Sequence, residues 1–230
     1  MNPIKLIFQH PDFWIVVKPS GESFHSEDGE GFFARLSAQF PEQVFYPLHR
    51  LDKLTSGILV FATNKQAAAE FGVLFEQHKF EKRYLAVSAA KPNKKQGTVA
   101  GGMIPSRRGQ WRLTKQLDNF AATQFFSFAE SGKRYFWLRP LTGKTHQIRV
   151  ALKSIGSPIL GDERYGGVAA DRGYLHAVKI AFEWRGEAFE FVSWPDTGEF
   201  FTESSKTQYQ DLFLMGQEIW PKFTIPKKSI

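Results

Sequence analysis

The amino-acid pattern predicts an α+β fold: a mixed, mainly antiparallel sheet with a few inserted helices. Three observations carry that expectation. Short segments rich in β-branched and aromatic residues recur along the whole chain. Several follow one another across short Gly-containing turns, as hairpins do. Segments with helical spacing are few and are inserted among the strands. At 230 residues, 42% hydrophobic and 23% charged, the chain is long enough to bury a core.

In order, residues 4–8 and 13–17 read as strands around the turn His10-Pro11-Asp12. Lys18-Pro19-Ser20-Gly21 is a second turn. Apolar residues at 32, 33, 36 and 40 have helical spacing, and Pro41 ends that helix. The stretch His49-Arg50-Leu51-Asp52-Lys53-Leu54-Thr55-Ser56-Gly57 then feeds the run Ile58-Leu59-Val60-Phe61-Ala62, which has the length and content of a buried strand. Thr55-Ser56-Gly57 reads as a tight turn, with Gly57 free to take a positive φ. Thr63 or Asn64 is placed to cap a helix over residues 65–78, whose apolar face carries Ala67, Phe71, Leu74 and Phe75.

Residues 80–87 form the next strand candidate, with Phe80, Lys82, Tyr84 and Ala86 on one face. Residues 91–115 are polar, Gly-rich and basic; they read as a hairpin with a basic tip or as an arm that orders only on binding. Residues 122–129 and 135–141 are strands joined by Ser131-Gly132-Lys133. Gly143 precedes a helix expected over residues 145–155, whose N-terminus would offer backbone N–H groups to an anion. On that helix Thr145, Arg149 and Leu152 would share one face. A compact loop at 159–166 is followed by strands at 174–182 and 188–192, paired across Arg185-Gly186-Glu187. The remainder, 195–230, carries one helix near 208–215.

Composition excludes several classes of chemistry. The absence of cysteine rules out disulfides, thiolate metal sites and a Cys nucleophile, and suits a reducing cytoplasm. The six histidines are scattered without metal-binding spacing, so no structural metal is expected. No apolar run approaches the roughly 20 residues of a membrane span, and the N-terminus lacks a signal-peptide pattern.

The net charge is +7, and it is unevenly placed. Residues 1–81 hold 7 Lys/Arg and 10 Asp/Glu; residues 82–161 hold 15 and 2; residues 162–230 hold 8 and 11. No carboxylate occurs from Lys82 to Leu117. A block this one-sided marks a polyanion-binding face, against the plainer alternative of a generic basic surface. Within it, Arg107-Arg108-Gly109-Gln110-Trp111-Arg112 combines cations with an aromatic, which suits phosphate contacts and base stacking.

On local spacing alone, Asp52 reads as the partner of Arg50 in a turn salt bridge. Its place in a loop ahead of a buried strand also suits a catalytic carboxylate. Tyr84 reads equally as a core aromatic with a satisfied hydroxyl.

Several stretches together resemble the RluA-type pseudouridine synthases. His49 to Gly57 is similar to the signature H-R-L-D-x-x-T-S-G, and Lys82-Arg83-Tyr84-Leu85-Ala86 resembles the motif K-x-Y-x-A. Leu141-Thr142-Gly143-Lys144-Thr145-His146-Gln147-Ile148-Arg149 resembles a third motif. Val17-Lys18-Pro19-Ser20-Gly21 with His25, Gly156-Ser157-Pro158-Ile159-Leu160-Gly161-Asp162 and Leu175-His176-Ala177 also match, in the family's order.

The resemblance implies a sheet of the pseudouridine synthase type with a central RNA-binding cleft. It implies isomerisation of uridine in structured ribosomal or transfer RNA, without a cofactor. By position, Asp52 is the essential carboxylate, acting as nucleophile or base. Arg149 matches the arginine that pairs with it, and Tyr84 the tyrosine that stacks on the uracil. Arg50 matches the residue that fills the stack when the nucleotide is flipped out. Lys82, Arg107, Arg108, Arg112, Lys144, Thr145 and His146 complete the expected RNA contacts. The matched blocks imply a catalytic domain over 1–195 and an extension over 196–230 packed on or beside it. The S4 RNA-binding domain that many members carry is expected to be absent. A monomer without an obligate protein partner is expected by analogy. Three positions depart from the family pattern: Lys144 stands where arginine is usual, and Ala151 and Ser157 occupy positions often held by polar or histidine residues.

Overall fold

The computed structural model describes residues 3–25, 30–214 and 220–226. In chain order the elements are β1 (Lys5–Gln9), β2 (Phe13–Lys18), α1 (Phe32–Gln39), β3 (Tyr46–Pro47), β4 (Ser56–Ala62), α2 (Lys65–Glu76), β5 (Glu81–Ser88), β6 (Gln96–Pro105), β7 (Trp111–Thr114), β8 (Phe120–Glu130), β9 (Lys133–Pro140), α3 (Gln147–Ser154), β10 (Leu175–Trp184), β11 (Glu187–Val192) and α4 (Glu203–Leu214). The fold is α+β, and strand pairing is mixed but mainly antiparallel. Two compact units divide the chain: residues 1–82 with 176–195, and residues 83–175 with 196–230.

In the first unit, β4 is buried along its whole length. It pairs antiparallel with β2, through Val17 opposite Ile58, and parallel with the start of β10. The parallel contact is short: His176 faces Ser56, and Ala177 faces Gly57. Gly57 has φ +118, and a Cβ there would fall 2.3 Å from the Ala177 carbonyl oxygen. Only glycine fits, because both the backbone angle and the space exclude a side chain. Phe13, Ile15, Val60, Phe71, Phe182 and Trp184 form the core of this unit between sheet and α2. Asn64 caps α2, its side-chain oxygen accepting from the Ala67 N–H at 2.9 Å.

The second unit contains five strands paired antiparallel in the order β5, β9, β8, β6, β7. Ser131 and Gly132 join β8 to β9 with φ of 47° and 72°, the left-handed pair that a two-residue hairpin requires. The C-terminal segment packs on this sheet. Tyr209 on α4 is buried, and its hydroxyl donates toward the main-chain oxygens of Phe136 and Ala86 at 3.2 and 3.4 Å. Trp220 lies over the guanidinium groups of Arg83 and Arg139, 5.1 and 5.8 Å from its ring centroid.

Two local expectations are corrected, and the choice left open for the basic segment is resolved as the hairpin. The third helix starts at Gln147, two residues later than its pattern suggested, because His146 takes a left-handed φ of 56°. Thr145 therefore lies outside the helix and shares no face with Arg149 and Leu152, both of which are buried. The basic segment is not an independent arm: β6 and β7 form a hairpin paired to β8. The last helix begins at Glu203 rather than near 208, because Thr202 Oγ1 accepts from the Ser205 N–H at 3.1 Å. Met215, its expected end, lies outside the described residues.

Candidate functional site

In the first unit, the backbone is tied down at Asp52 and at the two residues that follow it. The Asp52 carbonyl accepts from the Thr55 N–H at 2.9 Å, which closes the turn. The Lys53 carbonyl accepts from the Gly21 N–H at 2.8 Å, and the Leu54 carbonyl from Ser20 Oγ at 2.7 Å. Lys18 is fully buried, and its Nζ donates to the carbonyls of Glu22 (2.6 Å), Pro19 (2.8 Å) and Lys53 (3.4 Å). The turn of residues 18–22 is thus a mould for the Asp52 loop, and a buried ammonium satisfied by carbonyls holds it.

His49 Nε2 accepts from the Val60 N–H at 3.0 Å, and its ring stacks on Phe75. Burial lowers its pKa to about 3, so the imidazole is neutral and structural. At the other end of the loop, Ser56 Oγ lies 2.7 Å from His176 Nδ1, and His176 Nε2 lies 2.8 Å from the Ser193 carbonyl. A carbonyl only accepts, so Nε2 carries a proton and donates to it. The Asp52 side chain is half-buried and Arg50 is exposed. Lys82 is not a simple surface cation. It is half-buried beside Phe75, and burial lowers its pKa to about 8.

In the second unit, Tyr84 is half-buried on β5, opposite Leu138 of β9. Arg149 is buried on α3, and its fork meets Asp162: Nε to Oδ2 at 2.7 Å and Nη2 to Oδ1 at 2.9 Å. Its guanidinium carbon sits 4.8 Å from the Tyr165 ring centroid. Gln147 supports the same stretch. Its amide oxygen accepts from Thr142 Oγ1 (2.6 Å) and the Lys144 N–H (3.0 Å). Its amide nitrogen donates to the Ala122 carbonyl and Thr123 Oγ1, each at 2.9 Å. The Lys144 N–H, just ahead of the helix, is thus already used by Gln147. Lys144 and His146 are half-buried; Thr145, Arg107, Arg108 and Arg112 are exposed.

The described geometry within each unit thus places Asp52 with Arg50 and Lys82 in the first, and the other candidate residues in the second. Sequence reasoning missed Asp162 as a partner of Arg149, and it missed Gln147 and Tyr165 altogether as organisers. Gln147 and Asp162 were signalled by their presence in matched motifs, whereas Tyr165 lies outside them and its partner Trp111 is 54 residues away. Among the described residues, no group of His, Asp or Glu is arranged to hold a metal ion. No helix among them is long and apolar enough to cross a membrane.

The first unit holds 10 Lys/Arg against 13 Asp/Glu, and the second 20 against 10. One carboxylate loop held rigid by main-chain bonds, in a chain whose other unit is strongly basic, is the make-up of an enzyme that acts on a polyanion. The chain matches the family described as RNA pseudouridylate synthase over residues 12–154, and it belongs to that family. It is 42% identical over 215 residues to a Haemophilus influenzae protein described as an uncharacterized RNA pseudouridine synthase, covering 92% of this chain and 96% of that one. It is 30% identical over 216 residues to the dual-specificity RNA pseudouridine synthase RluA of the same organism, covering 90% and 94%. The fold matches that of human RNA pseudouridylate synthase domain containing 1, with a TM-score of 0.72 at 24% identity over 99% of this chain and 94% of that one. The protein is an RNA pseudouridine synthase, an isomerase acting on uridine in RNA.

Proposed function

We propose that this enzyme isomerises uridines in structured ribosomal or transfer RNA, with Asp52 as its one essential carboxylate. The observation that carries this reading is the Asp52 loop, whose backbone is anchored from Asp52 to Leu54 while its carboxylate belongs to a side chain only half-buried. Such anchoring holds a reacting group in place at little entropic cost during turnover.

The reaction breaks the uracil N1–C1′ bond and forms a C5–C1′ bond. The C5 proton is lost and N1 regains one, so atoms balance without a cofactor. A carboxylate has two routes: attack on C1′, or removal of the proton at C2′. Tyr84 serves as the stacking platform for the base. Arg149, held by Asp162, matches by resemblance the arginine that the family uses with its catalytic carboxylate. Arg50, exposed beside Asp52, fills the RNA stack after the nucleotide is flipped out. Lys82, Arg107, Arg108, Arg112, Lys144, Thr145 and His146 contribute RNA contacts, with salt-dependent affinity. Residues 1–195 form the catalytic part, and 196–230 an extension. The enzyme works in the cytoplasm as a monomer, with RNA as its partner.

The test is a pseudouridine map of total RNA from a strain lacking the gene. Sites that vanish, and return with the wild-type gene but not with Asp52→Ala, support the reading and name the target. An unchanged map, or full rescue by Asp52→Ala, contradicts it.

A further inference from the structure

Tyr165 is almost completely buried, at 1% exposure, yet no step of the proposed chemistry uses it. It sits in the 3₁₀ turn of Glu163–Tyr165, directly after Asp162. Its N–H donates to the Asp162 carbonyl at 3.0 Å, so the two residues form one rigid turn. Gly167 closes that turn: a Cβ there would fall 1.9 Å from the Ile159 carbonyl oxygen.

The two ends of the Tyr165 side chain do different things. Its ring faces cations, with the Arg149 guanidinium carbon 4.8 Å and Lys153 Nζ 5.6 Å from the centroid. The guanidinium is therefore fixed twice, by the Asp162 fork at its edge and by the aromatic face beneath it. Its hydroxyl faces the basic hairpin, accepting from the Trp111 N–H at 2.8 Å and lying 2.9 Å from His146 Nδ1. Trp111 is the first residue of β7, immediately after the turn that carries exposed Arg107 and Arg108. Gln110 strengthens the same joint by donating to the Arg164 carbonyl. Met103 and Ala121 pack with Val150 and Tyr165, and Trp111 and Leu113 lie against them.

We propose that Tyr165 is a positioning residue that holds the basic hairpin and Arg149 in one register, so that the hairpin's grip on RNA and the setting of the arginine depend on a single side chain. The ring serves the arginine and the hydroxyl serves the hairpin. The inference deepens the proposed function and rests on it for the roles of Arg149 and the hairpin.

The two ends separate experimentally. Tyr165→Phe keeps the ring and loses the hydroxyl. It is expected to weaken RNA binding about fivefold to tenfold, the size of one lost buried hydrogen bond. Its single-turnover rate on saturating RNA should stay within about twofold of wild type, because the aromatic face beneath the guanidinium remains. Tyr165→Leu also removes the ring, and that rate is expected to fall at least a further tenfold, as for a displaced catalytic group. Thermal unfolding of both variants gives the folded fraction for normalisation. Normal binding and rate in both variants would overturn the proposal. So would equal rate loss in both, or losses that disappear once the folded fraction is counted. An Asp52→Asn variant run alongside keeps the two questions apart: if it retains full activity, the function fails. If it is inactive while Tyr165→Phe and Tyr165→Leu behave alike, only the positioning role fails.

Discussion

The loop carrying Asp52 and the segment carrying Arg149 are held in opposite ways. The first is moulded through main-chain carbonyls, which receive hydrogen bonds from Gly21, Ser20, Thr55 and Lys18. The second is held by side chains: Asp162 on the guanidinium edge, Tyr165 beneath it, and Gln147 across the preceding turn. Main-chain moulding fixes where a residue sits while leaving its side chain to the chemistry. Side-chain anchoring fixes the functional group itself, which suits the role proposed for Arg149.

The contrast can be broken from either side. The largest effect is expected from Asp162→Ala, which strips the carboxylate from a buried guanidinium. Losing one partner of a buried pair costs about 3–5 kcal/mol, and urea unfolding should show that loss. A cost below about 1 kcal/mol would mean the fork is not what seats Arg149. Gly57→Ala comes next, since it places a Cβ on the Ala177 carbonyl at a φ reserved for glycine. It is expected to cost on the order of 3 kcal/mol and to disturb the Asp52 loop; wild-type stability and rate would remove the mould from the account.

The pH responses of the first unit are smaller and separable. His49 is held neutral, with its pKa lowered to about 3 against an ordinary 6.5. The unfolded chain therefore takes up this proton first as the medium is acidified. The stability His49 contributes is whole above pH 6.5 and is lost as pH falls toward 3, by up to a few kcal/mol. His49→Phe should flatten that part of the unfolding profile, and an unaltered slope would contradict the assignment. Lys82, with its pKa lowered to about 8, gives the smallest effect. The cost of burying its charge is full below that value and fades between 8 and 10.5. Its contribution to RNA affinity should fade as pH rises through about 8, where the folded enzyme's ammonium loses its proton. The salt slope of RNA binding is expected to shrink by about one counterion from about pH 7 to about pH 9.5, and Lys82→Arg should keep it. Equal shrinkage in that variant would acquit Lys82.

The same contrast explains what could be read from the sequence. The strands were legible because alternation and Gly turns are local: Ser131-Gly132 and Arg185-Gly186 both take the left-handed pair that hairpins need. Gly57 was legible for the same reason. The change in charge at Lys82 also falls at the junction of the two compact units. The start of α3 was not legible, because Gln147 is held there partly by Ala122 and Thr123, 25 and 24 residues away. Nor was the pinning of the basic hairpin, since Trp111 and Tyr165 are 54 residues apart. Asp52 could be singled out by its motif. The lysine and serine that mould its loop stand 35 and 34 residues before their targets, and only the fold joins them.

The most direct test of the central claim is tritium release from C5-labelled uridine in RNA under single-turnover conditions, comparing wild type with Asp52→Asn at saturating enzyme. The side chains are nearly equal in size, and the moulding bonds come from the main chain, so fold and RNA binding should persist. Release is expected to fall to background while a filter-binding assay shows RNA still held. Release at the wild-type rate from the bound Asp52→Asn complex would contradict the account.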